Sequence, residues 1–189
     1  MRYGAARGRV IRGGALHDFG INITTGHVRG AGVTGQYDRK SQGIRSRVVN
    51  DLPTVSHELG HHLDNLYGLT KDLPEAARRE LIDGLDAEMK AAYKEKKWLT
   101  EGLAEYTRKY LQNRETAAID YPEFTKHFKN RLNAKDNALI DQLADELNAY
   151  YSMDAETASS SIRNREDRGR DFRTWDERVA EKGDAFYQA

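Results

Sequence analysis

Two histidines four positions apart, His57 and His61, with Glu58 directly after the first, are the residues of this chain whose types and spacing could do chemistry. On an α-helix, positions i and i+4 stack on one face about 6 Å apart along the axis, so both imidazoles can reach one metal ion. Neutral imidazole nitrogen is a standard Zn²⁺ ligand, and a catalytic zinc takes three protein ligands and keeps a fourth position for water. Glu58 would accept a proton from that water once the ion has lowered its pKa to about 7. The plainer alternative is a helix that carries surface histidines and a glutamate. The segments around the motif favour the metal.

Two histidines leave a catalytic zinc one ligand short, and a chain without cysteine must find it among histidines and carboxylates. The stretch Lys97-Trp98-Leu99-Thr100-Glu101-Gly102-Leu103-Ala104-Glu105-Tyr106 offers Glu101 and Glu105, again i and i+4. One could bind the ion while the other hydrogen-bonds a ligating imidazole and fixes its tautomer. Gly102, beside Glu101, would let two helices approach closely. Asp64 shares a face with His57 and His61 and could ligate, orient a histidine or cap, with orienting or capping favoured. His62 points away from that face and reads as a surface or packing residue. His17, His27 and His127 are scattered and read as surface histidines by default.

The elements that must position these residues differ between the two parts of the chain. Most of the 16 glycines precede Asn50 and break short β-like runs at Arg9–Ile11, Ile21–Ile23, Gly35–Tyr37 and Ile44–Val49. The polar stretch Asp38–Gly43 predicts a hairpin whose second strand leads into the motif helix. That helix has Asn50 or Asp51 as N-cap, Pro53 in its first turn, Gly68 as its stop, and an apolar stripe of Val55, Leu59, Leu63 and Leu66. Beyond it the pattern predicts helices from Pro74 to about Lys94, Trp98 to Gln112, Pro122 to Leu132 and Lys135 to Tyr151. The last carries Leu139, Ile140, Leu143 and Leu147 on one face.

At 189 residues the chain fits one domain with a single core, read here as residues 1–151, followed by a charged, mostly helical extension at 152–189. Lys plus Arg and Asp plus Glu both number 30, which gives no net charge to draw the protein to nucleic acid or an anionic membrane. The Arg-rich stretch from Arg163 to Arg178 is interleaved with acids and reads as a solvated helix face. No apolar run approaches the roughly 20 residues that span a bilayer. No apolar h-region follows Met1, so the expected setting is cytoplasmic.

The helix Val55-Ser56-His57-Glu58-Leu59-Gly60-His61-His62-Leu63-Asp64, followed downstream by Trp98-Leu99-Thr100-Glu101-Gly102-Leu103-Ala104-Glu105, resembles the gluzincin branch of zinc metallopeptidases, which includes thermolysin and the alanyl aminopeptidases. The resemblance implies Glu101 as third ligand and Glu105 as partner of a zinc histidine. It also implies a late Tyr or His that stabilises the oxyanion, for which Tyr106, Tyr110, Tyr150, Tyr151 and His127 compete. The interval from His61 to Glu101 is longer than is usual in that branch, a departure attributed to an inserted helix. Asp64 and Tyr67 stand where the metzincin pattern has its glycine and third histidine, so that pattern does not fit. The run Gly35–Asp38, Ile44-Arg45, Asp51 and the motif helix is also similar to zincin-like peptidase domains of phage polyvalent proteins. That likeness implies one domain of a larger multidomain protein, delivered to a host cytoplasm.

The expectation is therefore an α+β, zincin-like domain: a small N-terminal sheet, the metal-binding helix beneath it, and a helical C-terminal half that supplies Glu101. Its expected activity is zinc-dependent hydrolysis of a protein or peptide substrate, with Glu58 as base and the edge strand within Gly30–Tyr37 receiving the substrate backbone. The alternatives are a non-catalytic zincin-like module that binds a peptide in its groove, and a regulatory protease resembling the ImmA family.

Overall fold

A computed structural model gives the fold, and the structure describes residues 21–28, 30, 33–48 and 51–151. The expected strand at Arg9–Ile11, His17, the alternative cap Asn50 and the extension 152–189 lie outside the described residues. The chain divides after Ala149 into two units, and the first, Met1–Ala149, carries the sheet and the motif helix.

Three strands, β1 (Asn22–Thr25), β2 (Gly35–Asp38) and β3 (Gly43–Ser46), form a mixed sheet in the order β1-β3-β2. β3 runs parallel to β1 and antiparallel to β2, with Tyr37 opposite Ile44. The predicted hairpin is present. Its turn is closed by the Asp38 carboxylate, which accepts from the Lys40 and Ser41 N–H groups, and by Gln42 at a positive φ of 51°. β3 ends at Ser46 rather than Val49, where the Ser46 hydroxyl donates to the Val48 carbonyl. Alternation buries Ile23, Ile44 and Ser46 and exposes Asn22 and Arg45, so one face of the sheet meets the core and the other meets water.

Among the described residues seven helices follow. In α1 (Leu52–Tyr67) the Asp51 carboxylate accepts from the Thr54 N–H, Pro53 sits in the first turn, and Gly68 stops the helix in the left-handed region with φ 61°. Val55, Leu59 and Leu63 of the expected stripe are buried, but Leu66 is 43% exposed. The single helix expected from Pro74 to Lys94 is two, α2 (Glu75–Asp83) and α3 (Ala87–Ala92). Asp86 restarts the chain by capping the Met89 N–H, and a Cβ on Gly84 would lie 2.2 Å from the Tyr121 hydroxyl.

The helix that carries Glu101, α4 (Glu95–Gln112), begins before Trp98. A short α5 (Arg114–Asp120), unexpected from the sequence, is started by Asn113, which ends α4 and caps the Thr116 N–H. α6 (Pro122–Arg131) and α7 (Ala134–Tyr151) complete the body. The fold is thus α+β and mostly helical. Tyr106 of α4 lies at the centre of an aromatic cluster with Tyr110, Tyr121, Phe124 and Phe128. Among the described residues no helix is long and apolar enough to cross a membrane.

Candidate metal centre

The close crossing of α1 over α4 builds the site. A Cβ on Gly60 would lie 2.6 Å from the Ala104 Cα and 2.9 Å from the Thr107 hydroxyl, so only glycine allows this approach. The sequence expectation gave that task to Gly102, whose missing Cβ instead makes room for the Leu81 carbonyl of α2, 2.3 Å away. The crossing sets Glu101 of α4 beneath the two histidines of α1. His57 Nε2 and His61 Nε2 lie 3.4 and 3.5 Å from Glu101 Oε2, and the two rings stand nearly perpendicular.

These residues fit a zinc ion by donor type and by spacing. Ligands of a tetrahedral zinc with bonds of about 2.0–2.1 Å stand about 3.3–3.4 Å from one another, close to the separations observed. Glu101 Oε2 is buried, and the two imidazole nitrogens are its polar neighbours. Burial opposes ionisation of Glu101, but the two imidazoles outweigh it and bring the carboxyl down to about 2. His57, His61 and Glu101 are the only group of three or more potential metal ligands among the described residues. The donor set does not by itself choose zinc over other divalent ions that accept imidazole and carboxylate.

Glu58 points to the other side of its helix face, toward the sheet. It is 8% exposed and is overlain by β2 at Gly35, where a Cβ would meet Glu58 Oε1 at 3.1 Å and Thr54 Cγ2 at 2.2 Å. Burial raises its pKa; the neighbouring histidines and a hydrogen bond from the Tyr37 backbone N–H oppose the rise, and Glu101 adds to it.

His57 and Glu58 open into a recess of about 650 Å³ whose walls also include Gly35, Tyr93, Glu105 and Arg108. Tyr93 was not singled out by the sequence, because it carries no motif of its own. Burial raises its pKa first, and the charges of Glu101 and Glu58 raise it further, so the phenol keeps its proton and remains a donor. The signal that leads to it is Trp98, whose indole N–H donates to the Tyr93 carbonyl at 3.1 Å and the Lys90 carbonyl at 3.3 Å and so ties the end of α3 to the start of α4. A larger recess of about 900 Å³, on the polar face of the sheet between Asn22, His27 and Arg45, stands apart from this chemistry.

Several expected site residues have other work. Glu105 is at the recess wall, but its carboxylate pairs with Arg108 rather than with a ligating imidazole. Asp64 accepts from the Thr70 N–H and hydroxyl and so caps the turn after α1 instead of orienting a histidine. Of the expected oxyanion stabilisers, Tyr106 is fully buried and bonded to Thr125, Tyr110 donates to Asp141, and His127 contacts the Leu69 carbonyl. None of these three lines the recess. The side chains of Tyr150 and Tyr151 lie outside the described residues. His62 is fully buried, with Nδ1 3.0 Å from the Tyr37 hydroxyl, rather than at the surface. No protein-family model, curated protein or solved structure matches the chain.

Proposed function

We propose that this chain is a zinc-dependent peptidase with a zincin-like domain of the gluzincin kind, acting as an endopeptidase on protein or peptide substrates. His57, His61 and Glu101 hold the ion, and Zn²⁺ bound there would polarise the scissile carbonyl and acidify a water. The convergence of these three donors beside a buried carboxylate, with His57 and Glu58 lining a recess, is the observation that carries this reading.

Glu58 takes a proton from the attacking water as the water oxygen bonds to the carbonyl carbon. It delivers that proton to the departing amine nitrogen as the C–N bond breaks. Tyr93 donates its phenolic hydrogen bond to the carbonyl oxygen as negative charge develops there, a task that suits a hydroxyl held protonated by burial and nearby carboxylates. Substrate backbone enters the recess beside Gly35 of β2, which among the described residues pairs with β3 alone. Arg108 and Glu105 line the recess and shape the space for a substrate side chain.

The test is elemental analysis of bound metal together with cleavage of an unfolded protein by wild type, Glu58→Gln and Glu101→Ala. Wild type should hold one zinc and cleave; Glu58→Gln should keep the metal and be inert; Glu101→Ala should lose the metal. Zinc binding without any cleavage would favour a peptide-binding module, and failure to hold a metal would remove the basis of the proposal.

A further inference from the structure

The motif helix presents two neighbouring rows. His57 and His61 face Glu101; Glu58 and His62, also i and i+4, face the sheet. Tyr37 of β2 meets both of them there. The Arg47 N–H donates to the Thr34 carbonyl at 2.8 Å, and Gln36 stands opposite Arg45. Antiparallel alternation therefore turns the backbone groups of Thr34 and Gln36 toward β3 and those of Gly35 and Tyr37 outward. The outward Tyr37 N–H donates to the Glu58 carboxylate.

The same residue's phenol reaches the buried His62 ring, at 3.0 Å from Nδ1 and edge to face, and takes a further hydrogen bond with the Asn65 side chain. Tyr37 thus grips α1 at two points one helical turn apart, by its backbone at the glutamate and by its side chain beyond it. Gly35 closes the arrangement from above, since its missing side chain lets the strand rest on Glu58.

We propose that Tyr37 and His62 are positioning residues for Glu58. The phenol–imidazole contact fixes the height of β2 over α1, and the strand at that height holds one edge of the Glu58 carboxylate through the Tyr37 N–H. The remaining lone pairs of Glu58 are then aimed into the recess. This inference rests on Glu58 being the base of the proposed reaction, but the clamp itself has a readout that needs no activity. An outward-facing amide on a strand edge exchanges with solvent quickly unless something holds it.

The experiment is amide hydrogen exchange at Tyr37 in the full chain loaded with zinc, alongside zinc content, kcat and KM, in Glu58→Ala, Tyr37→Phe, His62→Leu and His62→Asn. Asparagine places a side-chain amide near the position of Nδ1 and so restores a hydrogen-bond partner for the phenol. Exchange at Tyr37 should quicken about ten- to hundredfold in Glu58→Ala, the loss expected of one charge-assisted hydrogen bond. Tyr37→Phe and His62→Leu should quicken it by about tenfold and lower kcat by a similar factor with KM and zinc content unchanged, while His62→Asn recovers both. Unchanged exchange in Glu58→Ala, or a fall in kcat only in step with lost zinc or lost fold, overturns the proposal. If the zinc-loaded wild type cleaves nothing, the peptidase reading fails, and the exchange rates alone decide whether the clamp exists.

Discussion

Gly60 and Ala104 touch backbone to backbone where α1 crosses α4, and Thr107, whose hydroxyl is committed to the Leu103 carbonyl at 2.9 Å, closes the same contact from one side. The crossing sets the distance from His61 to Glu101, so packing and the metal centre share one determinant. Alanine is a better helix former than glycine by about 1 kcal/mol, which would favour Gly60→Ala if the surface were open. Here the added methyl meets backbone, and overpacking of that kind costs about 1–3 kcal/mol. Gly60→Ala is expected to lower stability in urea unfolding and to weaken zinc in a competition titration. Gly102→Ala, which presses α4 against Leu81 of α2, should lower stability with a smaller effect on zinc.

Zinc should stabilise the fold by mass action, because its proposed ligands come from two helices separated in sequence by α2 and α3. At free metal about 100 times Kd the linkage is worth about 2.7 kcal/mol, several degrees of Tm for a domain of this size. A chelator should reverse the shift. Glu101→Ala and His61→Ala should abolish it, whereas Glu58→Gln should retain it. A Tm indifferent to zinc in the wild-type chain would count against the ligand assignment.

The parts of the site that rest on local periodicity were legible in the sequence. His57, Glu58 and His61 follow from a helix of known start and stop; the same spacing logic on a second helix yields Glu101 and Glu105 as a pair, and the gluzincin resemblance points to Glu101 as the ligand. The hairpin follows from its turn residues. What escaped depends on which residues meet across the fold. Gly60 reads as an ordinary position in the motif until Ala104 lies against it, and Gly102 takes credit for a contact made by its neighbour helix. His62 reads as a surface or packing residue because the His57–His61 row defines the inside of α1, and it is packing, since the sheet covers the adjacent row. The aromatic candidates for oxyanion binding were chosen by their place after Glu101, and the core had already claimed Tyr106 and Tyr110. Tyr93 precedes Glu101 and reaches the recess only because α3 ends early.

Tyr93→Phe removes the proposed donor while keeping the ring. With zinc content unchanged, kcat should fall roughly a hundred- to a thousandfold, the range found when a single oxyanion donor is lost. Trp98→Phe probes the same residue at one remove, since it deletes the indole N–H that holds the Tyr93 and Lys90 carbonyls. It should cost about 1 kcal/mol of stability and lower kcat less than Tyr93→Phe does. Equal activity in all three proteins would exclude Tyr93 from the chemistry.

Asp141 of α7 joins three helices, accepting from Tyr110 of α4 and from Lys129 of α6, each at 2.6 Å. Burial pushes its carboxyl up, but Lys129 and Tyr110 more than compensate and hold it below the ordinary value of 3.8. A depressed carboxyl favours the folded state whenever the pH is above the unfolded value, and its contribution is lost as the pH falls through the folded value. Asp141→Asn should therefore lower Tm near neutral pH, where the charge is fully developed in both states, and the difference from wild type should narrow below about pH 4. Thermal unfolding of the two proteins from about pH 7 to about pH 3 reads this directly. A difference that stays constant across that range would mean that Asp141 acts through the shape of its contacts and not through its charge.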